Sequence, residues 1–573
     1  MDGSMATNFV DEYDAALSAL DAAKDTWAQT SKAERIALLG QVKDNLMKVS
    51  QGWAQTAARK KQIPEGSPLI GEEWISGPYA FMSGCNGLMQ TLSDMEDKAF
   101  LKHLPTRELA NGQTAVKVLP HSIWDHLLLS GVKAEVWMQK GVSPANLAQN
   151  AASAYDQPPA ERKGKVALVL GAGNIASIAP LDVLQKLFLE NQVVILKMNP
   201  VNDYLTDHLR IALKPFIDRD FLRIVKGGGS AGGYLTNHPI IEELHITGAA
   251  STHDAIVWGT GAEGEKNRKA GTPKNNKRFT SELGAVCPTI VVPGPWSDAD
   301  LKFQAEHIAT QKLHNSGFNC VACQVLIMPK SWDKGAQLMS NLLDEIAKST
   351  RLAYYPGAED RLFAFAKNAT KPETIARGSA PSAVLNTVGD SDWFRENEVF
   401  APAMSTHEMD APDAETYLRA AIAYANDELH GTLGANVLIH PKTIRQIGKK
   451  RFEEIIADLR YGAIAINAWT GLAFLATACP WGAFPGHTPE DVQSGIGTVH
   501  NTFMLENTER CVVQAPWRPF PRGLTSAQFT LLPRPPWFIT NKKQHKVGML
   551  LTKFQYKPNW FKLPRIFLNA LLG

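Results

Sequence analysis

The sequence predicts an α/β chain of two or three globular units built on parallel sheets, and three observations carry that expectation. At 573 residues and 44% hydrophobic, the chain is too long for one ordinary core. From Lys165 onward, short β-branched runs alternate with helical stretches: "VALVL", "PLDVLQKLFLE", "VVILK", "YLTDHLRIALKPFI", "LRIV" and "IEELHIT". Apolar strands joined by crossover helices indicate a parallel sheet covered on both faces. A second αβ region follows over about 285 to 485, with strands expected at "TIVV", "QVLIM" and "AIAIN".

The first hundred residues read as amphipathic helix. In "TSKAERIALLGQVKDNLMKV", Ser31 and Glu34 stand at the spacing of a reciprocal helix cap, and Ile36, Leu38, Leu39, Val42, Leu46 and Val49 recur at helical period. Residues 259 to 278, "GTGAEGEKNRKAGTPKNNKR", read as a polar surface excursion between strands. From Tyr461 to Pro489 no residue is charged, yet Gly462, Asn467, Gly471, Pro480, Gly482, Pro485 and Gly486 break any single spanning helix. A buried strand followed by an aromatic pocket loop is expected there instead.

Six cysteines spread over this length argue against a disulfide framework and for a reducing, cytoplasmic setting. The amino end has no basic patch followed by an apolar run, so it does not read as a secretory signal. The net charge of +2 conceals an asymmetry: no acidic residue follows Glu509, while eleven of the 59 Lys and Arg lie from Arg510 onward, leaving 48 basic against 57 acidic in the rest. An acidic body therefore carries a basic, aromatic-rich tail.

Two motifs invite chemistry. "VLGAGNIASIAP" places G-x-G-x-x-A after a strand, the pattern of a pyrophosphate cradle, but the second strand ends in Lys197 where a ribose-binding acid would stand. Gly171 and Gly173 then serve equally well as a tight turn. "NSGFNCVACQ" places Cys320 and Cys323 as a redox dithiol, half a zinc site, or a nucleophile with an incidental neighbour. No second Cys or His pair stands at ligand spacing, so no metal is expected, and His245, His253 and His314 read as structural or surface histidines.

The order of four stretches resolves this. "GAGN" with Asn174 is followed by Lys197, then "SELGAVCP" with Glu282, "NSGFNC" with Cys320, and "NEVFAPA" with Glu398 and Phe400. Together these resemble the NAD(P)-dependent aldehyde dehydrogenase superfamily, over about Asp14 to Val512. The resemblance implies an aldehyde dehydrogenase-like α/β fold with a Rossmann-type cofactor domain, an α/β catalytic domain and a small oligomerisation element. The implied boundaries are 1–283 for cofactor binding (115–163 matching poorly), 284–486 for catalysis, 487–512 for a return and oligomerisation strand, and 513–573 for an extension.

It also implies roles. Cys320 is the nucleophile, with Cys323 a neighbour one helical turn away. Asn174 and the Cys320 backbone N–H are oxyanion donors, and Glu282 is the general base. Lys197 and Glu398 hold the cofactor riboses, Phe400 lies beside the nicotinamide, and Gly248 and Ser251 belong to the cofactor site. Pro200 stands where NAD-preferring relatives often place a Glu, which admits NADP beside NAD. The function implied is oxidation of an aldehyde, lipophilic if the tail touches membrane, by a homo-oligomer. The rivals are a CoA-acylating or acyl-CoA-reducing relative, against which Glu282 speaks, and a non-catalytic interaction protein retaining the fold.

Trp469, Phe474, Trp481 and Phe484 are candidates for a hydrophobic tunnel. In the tail, Trp537, Phe538, Trp560, Phe561, Ile566, Phe567 and Leu568 are interleaved with Lys and Arg. Two readings are open: an anionic membrane surface, or packing across the acidic body or a partner subunit. No nucleic-acid partner is expected, because no recognisable module accompanies the charge.

Overall fold

In the computed structural model, which describes residues 3–378, 380–386 and 391–573, two sheets organise the chain. The smaller has neighbour order Leu222–Val225, Val193–Lys197, Val166–Leu170, Glu243–Gly248 and Arg278–Leu283, all parallel, with Gly495–Ile496 closing it antiparallel. Every residue of Val166–Leu170 and Val193–Lys197 is buried, which is why these strands read as apolar runs up to the terminal Lys197. Strand order reverses between Val166–Leu170 and Glu243–Gly248, so their carboxyl ends part and open a crevice.

Helices Gly3–Gln29 and Lys32–Lys60 precede this sheet. Ser31 Oγ accepts from the Glu34 N–H at 3.2 Å, but the Glu34 carboxylate turns to Arg219, so half of the expected reciprocal cap forms. Leu38, Leu39, Val42, Leu46 and Val49 join the core of the smaller sheet, while Ile36 packs only at its margin. The polar excursion holds a helix, Gly261–Ala270, on the surface. Its polarity on every face hides the helical period from the sequence.

Among the described residues the larger sheet has eleven strands. Ala463–Ile466, Gly434–Leu438, Pro288–Val291, Val325–Pro329 and Ala403–Met409 form its parallel centre, between two cores of Ile, Leu, Val and aromatic side chains. The uncharged stretch from Tyr461 supplies Ala463–Ile466, the short helix Gly471–Leu475 and the strand Pro480–Gly482. Among the described residues no helix is long and apolar enough to cross a membrane.

The poorly matched segment contributes two antiparallel strands, Thr114–Leu119 and Lys133–Met138. The second pairs with Thr508–Gln514, which pairs in turn with Ala463–Ile466. The region expected to hold an oligomerisation strand is thus hydrogen-bonded on both flanks within its own chain.

The basic tail folds back over the body from residue 515 to 556. Trp517 is buried against Trp296 at 4.8 Å, and Phe538 stacks on Phe303 and His307 at 5.5 and 5.2 Å. Arg518 reaches both oxygens of Asp300 at 2.6 Å, and Arg522 adds a third bond at 2.7 Å. Helix Gln544–Tyr556 crosses Ile70–Trp74 so closely that a Cβ on Gly71 would lie 2.4 Å from the Gln544 carbonyl carbon. The last helix, Leu563–Leu571, buries Leu563 and Ile566 but leaves Leu568 and Leu571 in solvent, beside Phe561 at 92% exposure.

Burial of Asp300 works against its charge, yet the Arg518 guanidinium and the Ser297 donors hold its pKa down at about 2. This contribution to stability is complete above pH 3.8 and fades as pH falls towards 2. Asp300→Asn leaves two arginines without their anion and is expected to cost about 3 kcal/mol in a denaturant melt at pH 7. The difference from the native chain should narrow below pH 3.

Candidate active site

Helix Asp298–Leu313 delivers the chain to the site and stops abruptly. Asn315, Ser316 and Gly317 follow with φ of 51°, 57° and 85°, three left-handed residues in succession. Asn tolerates this region best among residues with a side chain, and the conformation persists only where surroundings over-determine it. Here they do. Asn315 Oδ1 accepts from Tyr354 Oη at 2.9 Å and Arg351 Nη2 at 3.2 Å, and its backbone N–H donates to Glu72 Oε2 at 3.2 Å. Arg351 pairs with Glu72 and Glu73 at 3.3 and 3.7 Å, and Glu73 with Lys61 at 2.9 Å, all deeply buried.

Cys320 emerges from this reversal in a turn ahead of strand Val325–Pro329, not on a helix. The expected placement of Cys323 one helical turn away is therefore corrected: the left-handed step has ended the helix. The Cys323 N–H reaches back to Gln311 O at 3.1 Å, and its side chain is buried in a separate core. All six cysteines are free thiols.

Cys320 Sγ lies 3.7 Å from Glu282 Oε1, within reach of an S–H donor. The Trp481 indole N–H donates to the same oxygen. Burial pushes the Glu282 carboxyl up to about 8, with Asp182 adding to the shift and the Trp481 and Cys320 donors opposing it. Burial also holds the Cys320 thiol well above its ordinary value, and the neighbouring Glu282 and Glu398 add to this. At neutral pH the resting pair is thus a thiol beside a carboxylic acid. Asn174, one turn past Val166–Leu170, donates one amide hydrogen to Phe318 O at 3.0 Å and has a second to offer. The backbone N–H of Cys320 donates to no acceptor among the described residues.

Cys320 and Asn174 line one small cavity of about 40 Å³, whose walls include Ile175, Ile178, Trp469, Phe474 and Trp481. Three of the four expected aromatics are therefore at the cavity. Phe484 is not: it lies under the Arg510 guanidinium at 4.8 Å, on the wall of a different pocket. His314 lines the cavity as well, and burial depresses its pKa to about 3, leaving it neutral. His245 and His253 are buried away from it, His245 between Thr280 and Asp182 and His253 against Phe279.

The remaining predicted residues gather at the carboxyl edge of the smaller sheet. Lys197 ends its strand and donates from Nζ to Gly227 O at 3.0 Å; Gly248 ends Glu243–Gly248, and Ser251 lies in the first turn of Ala250–Val257. Gly173 makes the tight turn after Val166–Leu170, where a Cβ would come within 2.7 Å of Tyr355 Oη. Phe400, at φ 42°, packs against Phe318 and Tyr355 at 5.6 and 5.2 Å. Burial pushes the Glu398 carboxyl up to about 8 against the pull of Lys312 and Arg361, and its Oε1 has no partner. An ammonium and an orphaned carboxyl oxygen beside a switch-point crevice fit the hydroxyls of a dinucleotide. Among the described residues no cluster could hold a metal ion.

Sequence reasoning missed the buried charges behind the turn. Glu72 and Glu73 in "IGEEW", Lys61 and Arg351 look solvated in one dimension, and only their pairing reveals their place. The aromatic pair in "AYYPG" was the one available signal for Tyr354 and Tyr355.

The sequence model of the Aldehyde dehydrogenase family matches residues 185–351, a span holding Lys197, Gly248, Ser251, Glu282 and Cys320. The chain is 23% identical over 258 residues to the dimeric NADP-preferring aldehyde dehydrogenase of Mus musculus, covering 42% of this chain and 52% of that one. It is 34% identical over 102 residues, 18% of each chain, to an aldehyde dehydrogenase of Enchytraeus buchholzi. The chain thus spans about half the length of the mouse relative it matches. Among solved structures, an aldehyde dehydrogenase of Brucella melitensis biovar abortus superposes with a TM-score of 0.57 at 17% identity, covering 88% of this chain and 89% of that one. Aldehyde dehydrogenase C of Pseudomonas syringae, solved with NAD+ and octanal, gives 0.57 at 15% identity over 89% and 90%. The fold is that of the aldehyde dehydrogenases.

A buried acid that titrates near 8 carries a sign. Between pH 4.5 and 8 the unfolded chain releases this proton while the folded chain keeps it, so stability declines as pH rises. Glu282→Gln keeps an acceptor for the Trp481 N–H and carries no such proton. It is expected to melt higher than the native chain at pH 8, by a few kcal/mol, with the gain shrinking towards pH 5.

Proposed function

We propose that this chain, a member of the aldehyde dehydrogenase superfamily, oxidises a lipophilic aldehyde to its carboxylic acid with NAD or NADP, through a covalent bond to Cys320. The observation that carries this reading is the 3.7 Å approach of Cys320 Sγ to Glu282 beside an apolar cavity that Asn174 also lines. An aldehyde carbon cannot release hydride until it becomes tetrahedral, so a sulfur nucleophile must add first.

The Cys320 proton passes to solvent as Sγ adds to the carbonyl carbon. The spare Asn174 amide hydrogen and the unpaired Cys320 N–H are donors for the resulting thiohemiacetal oxyanion. A bound nicotinamide dinucleotide would supply the hydride acceptor; Lys197, Glu398, Gly248 and Ser251 would hold it, with Phe400 alongside. Water then cleaves the Cys320 thioester. Glu282 removes the water proton, the acid departs and the sulfur is reprotonated.

The cavity favours a neutral substrate, because Asn174, Ser76, Asn319 and the uncharged His314 are its polar groups and no cation stands among its walls. The Pseudomonas syringae structure holds octanal, and the mouse relative is NADP-preferring by name. That relative is also dimeric by name, and a homo-oligomer belongs to the same reading, although its contact would need a surface other than the doubly paired strand Thr508–Gln514. Six free thiols suit a reducing, cytoplasmic compartment. The exposed Phe561, Leu568 and Leu571, beside Lys557, Lys562 and Arg565, suit an anionic bilayer surface.

Cys320→Ala is expected to lower aldehyde oxidation about a thousandfold or more. Glu282→Gln should retain a burst of reduced cofactor and lose steady-state turnover, and an unchanged steady state would remove Glu282 from the role of base. For the membrane reading, Phe561→Glu with Leu568→Glu should abolish co-sedimentation with phosphatidylserine vesicles while the fold is retained. Equal sedimentation of variant and native chain counts against it.

A further inference from the structure

The base proposed for the water step is shut in. Glu282 is 3% exposed, and its Oε1 is shared by Cys320 and Trp481. Its Oε2 has no partner, and burial keeps the group in its acid form at neutral pH. Glu282 must therefore release a proton before it can take one from water. Cys320 and Trp481 are both walls of the small cavity and screen Glu282 from it, so the proton needs another exit.

The strand register supplies one. Glu243–Gly248 and Arg278–Leu283 run parallel, with Glu243 opposite Arg278, His245 opposite Thr280 and Thr247 opposite Glu282. Side chains two residues apart share a face of a strand, so these three pairs form one polar stripe. Asp182, from helix Ile178–Leu184, meets the stripe in its middle. It is fully buried; its Oδ2 accepts from Thr247 Oγ1 at 3.0 Å and lies 3.4 Å from His245 Nε2. Its Oδ1, like Glu282 Oε2, has no partner, and Asp182 is the charged neighbour whose field raises Glu282.

On the far side, His245 Nδ1 lies 2.9 Å from Thr280 Oγ1. The two ring nitrogens thus face different partners, and an imidazole can accept a proton at one and release it at the other. Thr280 in turn lines a polar cavity of about 490 Å³ whose lining includes the exposed Arg278, Gly486 and Asn507. Around that end of the stripe, Arg278 and Lys186 pair with Glu190 and Glu243.

From this alignment we infer that Asp182, His245 and Thr280 form a proton wire that carries the Glu282 proton to solvent in the cavity beside Arg278. A proton leaving Glu282 Oε2 is taken by the Asp182 carboxylate, which hands it to His245 Nε2. The Nδ1 proton passes to Thr280 Oγ1, and the threonine proton passes to water. A turn of the carboxyl group and of the ring restores the starting arrangement, and Glu282 is left as the carboxylate that attacks a water proton. All three are positioning residues, since none lines the substrate cavity. The inference rests on the proposed role of Glu282 for its purpose, and on the strand register for its path.

Stopped-flow infrared spectroscopy of the substrate-free chain tests the wire without turnover. After a jump from about pH 6 to about pH 9, the carboxylic acid band that Glu282→Gln lacks should decay in the native chain, and at least about tenfold more slowly in Thr280→Val and His245→Gln. Thr280→Ser, which returns the hydroxyl, should restore the native decay. In turnover, Thr280→Val should lower kcat, retain the burst of reduced cofactor and raise the solvent deuterium isotope effect on kcat. Equal decay in all these proteins, a Thr280→Ser chain as slow as Thr280→Val, or no such band at the lower pH overturns the wire. Decay that responds to the variants in a protein that oxidises no aldehyde supports the wire and sinks the proposed reaction instead.

Discussion

Four buried charges, Lys61, Glu72, Glu73 and Arg351, hold the site in shape. Each alone would be prohibitively costly in the interior, and paired they are tolerable; removal of any one strands its partner at a cost of about 3–5 kcal/mol. What the cluster secures is Asn315, whose left-handed backbone starts the reversal that ends at Cys320. Residues in that conformation cost about 1–3 kcal/mol each, so the turn exists because the ion pairs and Tyr354 leave it no alternative. The cluster also explains why amino-terminal helices far from Cys320 in sequence belong to its environment.

The same burial governs the chemistry. Glu282 and Cys320 are both pushed towards their neutral forms, and His314 is kept unprotonated. A site of uncharged groups in an apolar pocket waits for a charge to be made. In the proposed reaction that charge would form on sulfur or on oxygen, where the few donors present act in a low dielectric and count for more than they would in water. The acid beside the thiol is poised close to neutrality, where a proton can move in either direction.

Much of this was legible in the chain. The parallel sheet followed from strands such as Val166–Leu170 and Val193–Lys197, which lie inside a covered layer and are apolar at every position before Lys197. Motif order singled out Asn174, Glu282 and Cys320, and folding brings them to one place. What stayed hidden depended on partners distant in sequence. Arg351 and Glu72 look like ordinary surface charges until they meet; Phe484 has the composition of a tunnel residue but lies under Arg510. The left-handed run at Asn315–Gly317 defeated the placement of Cys323, because helical period says nothing about where a helix is forced to stop. In the tail, composition could not choose between lipid and protein, since Trp537 and Phe538 pack inward while Phe561 points outward.

The pairing of Thr508–Gln514 between Lys133–Met138 and Ala463–Ile466 has a consequence for biosynthesis. A ribosome releases the antiparallel pair early and its central neighbour almost last, so the margin of Lys133–Met138 waits with bare amides and carbonyls through most of translation, and that of Ala463–Ile466 more briefly. Such margins invite pairing with other nascent chains. The polypeptide therefore completes its largest sheet only after release of residue 514, and its yield in a cell will depend on how well those margins are shielded until then.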